Sequence, residues 1–171
     1  MIIGTKANTL ENLSSKIKYF KVPNSYIFTI DEWLKKKEII KLDIKQKFRN
    51  KKIIIRSSAS TEDTKKSSLA GAFDSVLNIN VKDSKKITNS INQIIGSYKI
   101  RIKNFRNEQI LIQEMIQNIK MSGVIFTGDN FGYQNYYSIN YDDISGRTDT
   151  VTSGSSEYSN KTLYIYKKKK N

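Results

Sequence analysis

Ile53-Ile54-Ile55-Arg56-Ser57-Ser58-Ala59-Ser60-Thr61-Glu62-Asp63 decides the reading of this chain. A continuous apolar run fed by the basic turn Lys51-Lys52 predicts a buried strand over Lys51 to Ser58, which ends abruptly in an arginine and small hydroxyl residues. Such an ending holds a guanidinium and several hydrogen-bond donors at the mouth of a sheet, where a phosphate chain can sit. The following Ser67 to Ala72, with Gly71 among small residues, allows close backbone approach to that phosphate. The same residues also fit an arginine that anchors an ordinary connector through carbonyl bonds, and taken alone they weigh the two readings equally.

Around this segment the periodicities outline an α+β chain. Leu10, Leu13 and Ile17 form one helical stripe over Ala7 to Ile17. Ser25 to Ile30 reads as a strand, and Asp31 as the cap of a helix carrying Trp33, Leu34 and Ile39. The stretch Ala59 to Ser68 reads as a loop, and Phe73 to Val81 as a one-sided strand in which Phe73, Ser75, Leu77, Ile79 and Val81 share a face. Asp83 or Ser84 caps a long helix with Ile87, Ile91, Ile94, Ile95, Tyr98 and Ile102 in register, ending near Phe105. Strands are expected at Gln109 to Ile116, Ser122 to Thr127, Tyr136 to Tyr141, Thr148 to Thr152 and Leu163 to Tyr166, in a mixed or antiparallel sheet. The last strand stops close to Asn171, which suggests one domain cut short.

Composition narrows the chemistry. The 171 residues contain no Cys and no His, which excludes disulfides, thiolate or imidazole metal sites, histidine bases and a phosphohistidine carried on this chain. No apolar run is long enough to span a bilayer and no signal-peptide pattern follows Met1, so a cytoplasmic protein is expected. The net charge of +14 points at first to a polyanion such as nucleic acid. Arginine, which favours bidentate phosphate and base recognition, occurs only at Arg49, Arg56, Arg101, Arg106 and Arg147, and the rest of the positive charge is lysine in a chain rich in Lys, Ile and Asn. Nucleic-acid binding is therefore disfavoured.

The string from Ile53 to Asp63 resembles the Val-Arg-Ser-Ser-Ala-x-x-Glu-Asp signature of the nucleotide-binding region of phosphoenolpyruvate synthase and pyruvate phosphate dikinase. Other segments follow in that family's order. Gly4-Thr5-Lys6-Ala7-Asn8-Thr9-Leu10 is similar to its opening, Val22 to Thr29 to its Val-Pro strand, and Arg101 to Arg106 to the end of its long helix. Ile112-Gln113-Glu114-Met115-Ile116 resembles its Val-Gln-Glu-Met-Val hinge, and Ser122 to Thr127 its Ser-Gly-Val-x-Phe-Thr strand. Asn140 to Asp149 stands where the family has a Gly-Leu-Gly-Glu segment.

The resemblance implies an ATP-grasp-like α+β domain, partial over residues 1–171, that binds ATP with Mg²⁺ and takes part in phosphoryl transfer to a carrier domain or a small molecule. In that reading Lys6, Arg56 and Arg106 neutralise phosphates, with Arg56 and Arg106 closest to the chemistry. Ser57, Thr61 and Gly71 line the phosphate loop, and Gln113, Glu114, Met115 and Ile116 line the adenine pocket. Convergent cations are what phosphoryl transfer requires. The metal ligands and further C-terminal domains are expected beyond this chain, so it should be inactive alone. Glu114, Asp129, Asp142, Asp143 and Glu157 serve equally as metal ligands or as loop caps. A non-catalytic binding module and a kinase fragment acting on an amide-bearing metabolite or antibiotic are the alternatives.

Overall fold

The computed structural model describes residues 4–60, 63–64, 67–68, 75–127, 135–148, 150–153 and 160–167. The chain divides into two compact units, Met1–Met115 and Ile116–Asn171.

The first unit is built on an antiparallel four-stranded sheet in the order β1-β6-β2-β5, with β1 Ser25–Thr29, β2 Lys52–Ser58, β5 Ser75–Asn80 and β6 Gln109–Glu114. Two 18-residue helices, α2 Ile30–Lys47 and α3 Ser84–Arg101, cover one of its faces. Trp33, Ile40, Ile44 and Phe48 from the α2 region and Ile87, Ile91, Ile94, Ile95 and Tyr98 from α3 meet Phe28, Ile53, Ile55, Ile79, Ile110 and Ile112 in one buried core. A third helix, α1 Lys6–Ser14, starts after a cap by Thr5, whose hydroxyl accepts the Asn8 N–H at 3.2 Å. The short strands β3 Asp63–Thr64 and β4 Ser67–Ser68 pair as a hairpin inside the stretch expected to be a loop.

Local chemistry accounts for the places where the fold departs from the sequence pattern. Helix α2 is capped by Thr29, not Asp31. The Thr29 hydroxyl accepts the Glu32 N–H, while the Glu32 carboxylate accepts the Thr29 N–H at 2.7 Å, a reciprocal box that stabilises a helix start by about 1 kcal/mol. The carboxylate lies 2.9 Å from the Thr29 hydroxyl as well, and the bonds donated to it by the Thr29 N–H and hydroxyl hold the Glu32 carboxyl below its ordinary range. Within α2 the backbone leaves helical geometry at Lys36; Trp33 and Ile40 take the core positions, and Leu34 and Ile39 face solvent. In β5 the alternation breaks at Asn78, which has φ +57°. A register shift there turns Val76 onto the core together with Ile79. Helix α3 is capped by Asp83, whose carboxylate accepts the Lys86 N–H at 2.8 Å, and it ends at Arg101 rather than near Phe105. Phe105–Asn107 forms a separate 3-10 turn.

The second unit is a three-stranded antiparallel meander of β7 Ser122–Phe126, β8 Tyr136–Asp142 and β9 Lys161–Tyr166. Gly123 in β7 is required by a close approach: an added Cβ would run into the Asn140 carbonyl oxygen on β8. The strand expected at Thr148 to Thr152 is instead the short helix α4 Thr150–Ser153. Buried Asp142 decides this. Its carboxylate accepts the N–H groups of Ile144 and Ser145, each at 2.9 Å, the Ser145 hydroxyl, and the Thr150 hydroxyl at 2.6 Å. The bonds from Ser145 and Thr150 hold its carboxyl well below the usual carboxylate range and tie the chain after β8 into a turn.

Candidate functional site

The alternation of β2 sorts the site residues by face. Ile53, Ile55 and Ser57 lie on the helix-covered side, and Ile54, Arg56 and Ser58 on the other. Opposite these on β6, Arg56 faces Leu111 and Ile54 faces Gln113, so Arg56 and Gln113 are diagonal neighbours on one face. Leu111 and Gln113 are both buried, yet Leu111 lies outside the helix-side core. Ser57 thus sits on the core side of the strand, and Ser58 takes the place beside Arg56 that was expected of its neighbour.

Ser58 is the junction of this end of the sheet. Its hydroxyl accepts the Ala7 N–H at 2.9 Å, which fixes the first turn of α1, and therefore Lys6, onto the end of β2. Its own N–H donates to the Tyr98 hydroxyl at 2.6 Å, and that hydroxyl donates to the Gln109 carbonyl at 2.7 Å. The Gln109 side chain accepts from the Thr5 hydroxyl at 2.6 Å and donates to the Asn8 side-chain oxygen at 3.1 Å, so the cap of α1 is tied to β6 as well.

Arg106 belongs to the same end by connectivity. It is exposed in the 3-10 turn, two residues before Glu108, which directly precedes Gln109 opposite Ser58. The buried Glu108 carboxylate takes both the N–H and the hydroxyl of Ser60 at 2.7 Å each, which clamps the chain leaving β2 against the chain entering β6. Its carbonyl accepts the Ile30 N–H at 3.0 Å, adding the start of α2 to the same clamp. Three cations far apart in sequence are thus attached, through Ala7, Ser58, Ser60 and Glu108, to one end of one sheet. Thr61 and Gly71 lie outside the described residues.

The expected adenine segment lies toward the opposite end of the sheet. Gln113 pairs with both Ser25 and Ile54. The N–H of Glu114 donates to the Asn24 carbonyl at 3.0 Å and that of Met115 to the Lys52 carbonyl at 2.8 Å, so these two amides are engaged within the protein. The Glu114 carboxylate pairs with Lys51 at 2.9 Å, a bond that draws its pKa below the ordinary value. Ile116 is exposed and begins the second unit.

Among the described residues, the candidate carboxylates are each engaged within the protein. Asp142 is saturated by donors of its own turn, Asp143 pairs with Lys161 at 2.7 Å, and Glu114 pairs with Lys51. Among the described residues no three acidic side chains come together as a metal site. Asp129 and Glu157 lie outside the described residues. No helix among the described residues is long and apolar enough to cross a membrane.

Sequence reasoning singled out Lys6, Arg56 and Arg106 as candidates but not the hydrogen-bond frame around Ser58. Tyr98 was legible only as a member of an apolar stripe, and Ser58, Glu108 and Gln109 carried no local signal of their role. Thr5 could be found from its position three residues before Asn8, as a cap.

The fold is α+β, with antiparallel sheets, two helices on one face of the four-stranded sheet, and an Arg-Ser-Ser strand end bonded to a Lys-bearing helix start. The model of the pyruvate phosphate dikinase AMP/ATP-binding domain matches residues 36–156, and the chain belongs to that family. No curated protein matches the chain closely enough to count as a relative.

Proposed function

We propose that this chain is the nucleotide-binding part of an ATP-dependent phosphotransferase of the phosphoenolpyruvate synthase and pyruvate phosphate dikinase type. Lys6, Arg56 and Arg106 neutralise the phosphate chain at the Ser58 end of the four-stranded sheet. The family resemblance assigns Thr61 and Gly71 to phosphate binding as well. Gln113, on the face of Arg56, marks the adenine side, with the side chains of Met115 and Ile116 packing on the base. The phosphoryl acceptor is a carrier domain or a small molecule that meets this part in a fuller assembly, and Mg²⁺ ligands come from residues other than the paired carboxylates described above. By itself the chain binds nucleotide and does not turn it over.

The observation that carries this reading is the Ala7 N–H bond to the Ser58 hydroxyl, which seats the lysine-bearing start of α1 two residues from Arg56 in a member of an ATP-binding family. Charge-assisted bonds from fixed cations are the main means by which proteins hold phosphate chains. Titration calorimetry with ATP and ADP tests it. The unmodified chain should bind either nucleotide and melt at a higher temperature in its presence, because a ligand selective for the folded state stabilises it by mass action. Arg56→Ala should weaken binding by at least about tenfold, the loss of one charge-assisted bond, without lowering the melting temperature of the free protein by more than a few degrees. Equal affinity of the variant, or no nucleotide binding by the parent chain, overturns the assignment.

A further inference from the structure

A second concentration of positive charge lies at the other end of the same sheet. Lys45, Arg49, Asn50, Val81 and Lys82 line a depression of about 370 Å³ between the end of α2 and the turn that joins β5 to α3. Its walls are fixed by the backbone. The Lys51 N–H donates to the Phe48 carbonyl at 2.9 Å, the Lys82 N–H to the Asn80 side chain at 3.0 Å, and the Asp83 N–H to the Asn80 carbonyl at 2.9 Å. Val81 is buried to 2% exposure and forms the floor, and Asn50 turns the chain with φ +61°.

No carboxylate lines this depression, and among the described residues none pairs with Lys45, Arg49 or Lys82. Elsewhere lysines find acids: Lys35 with Asp31, Lys41 with Glu38, Lys51 with Glu114 and Lys161 with Asp143, all between 2.6 and 2.9 Å. The acids nearest in sequence are already engaged: Asp83 caps α3, and Asp43 accepts the Tyr26 hydroxyl at 2.8 Å. A helix C-terminus favours a cation, which accounts for Lys45 in the last turn of α2. It does not account for Arg49 beyond that helix or for Lys82 on a different element.

We propose that this depression is an anion site for a small phosphate-bearing ligand, a phosphate monoester or a diphosphate, held by the Arg49 fork, the two ammonium groups and the Asn50 amide. Guanidinium and ammonium groups with no competing carboxylate select for multiply charged oxyanions, and an arginine fork matches phosphate oxygens in pairs. The site is separate from the nucleotide region. Lys52 and Asn80 mark its end of the sheet and Ser58 the other, seven strand residues or roughly 20 Å away. The proposal does not depend on the assigned nucleotide function.

Titration of the full chain with pyrophosphate, followed by amide NMR, tests it. Saturable shifts should appear at Asn50, Val81 and Lys82, and should persist in Arg56→Ala. The triple variant Lys45→Gln, Arg49→Gln, Lys82→Gln should lose affinity at these amides by at least about tenfold, while a control of equal charge change, Lys16→Gln, Lys18→Gln, Lys103→Gln, keeps it within about twofold. The proposal is overturned by the absence of saturable shifts at those amides, by equal losses in both triple variants, or by shifts that vanish in Arg56→Ala. Tighter binding of duplex DNA than of pyrophosphate at the same amides, with a steep salt dependence, also overturns it in favour of a nucleic-acid surface.

Discussion

The four-stranded and the three-stranded sheet spend their side chains differently. In the four-stranded sheet, Ile53, Ile55, Ile79, Ile110 and Ile112 are shut beneath two helices, and a connected set of hydrogen bonds finishes one end. In the three-stranded sheet, every residue of β9 is exposed, including Leu163, Tyr164, Ile165 and Tyr166. The first has its order dictated by burial, since apolar area removed from water contributes about 25 cal/mol per Å² and the polar groups left inside must find partners. The second relies on ladder bonds, on Gly123 at the β7–β8 approach and on the Asp142 turn. A site that needs several cations held at fixed positions is better served by the first kind of sheet, and that is where Lys6, Arg56 and Arg106 are attached.

Three substitutions would break or sharpen this contrast. Trp33→Ala removes the largest side chain of the helix-covered core, which stacks on Phe28 at 5.9 Å between ring centres, and should cost about 3–5 kcal/mol in denaturant unfolding. A loss below about 1 kcal/mol would mean that the two sheets do not differ in how they are held. Tyr98→Phe keeps the ring but removes the hydroxyl that joins Ser58 to Gln109, leaving a buried N–H without its acceptor, and should cost about 1–3 kcal/mol. Hydrogen exchange should localise that loss to the amides of residues 7 and 58. Unchanged protection there would show that the frame is redundant. Leu163→Thr on β9 should shift stability by no more than about 0.5 kcal/mol, and a larger loss would show this strand to be as tightly held as those of the first sheet.

Most of the framework was legible in the sequence because its signals are local. The stripe from Ile87 to Tyr98, the apolar run at Ile53 to Ile55 and the small-hydroxyl ending after Arg56 each declare themselves within a few residues. What escaped is decided by partners distant in the chain. Thr148 to Thr152 carries strand-forming residues, but Asp142 captures the Thr150 hydroxyl and turns the backbone into α4. Trp33, Leu34 and Ile39 read as one apolar set on α2, yet with the backbone break at Lys36 the interior goes to Trp33 and Ile40. The Tyr98 hydroxyl reaches Ser58, 40 residues earlier, and Gln109, 11 later, and no local pattern encodes either bond.

The left-handed residue Asn78 has one more effect. Strict alternation along β5 would set Ser75 on the same side as Ile79. With the phase reset, Val76 takes that side and Ser75 lies directly across from Arg56 instead. The parity of a single strand therefore hinges on one backbone angle, and with it the face of the sheet on which Ser75 lies.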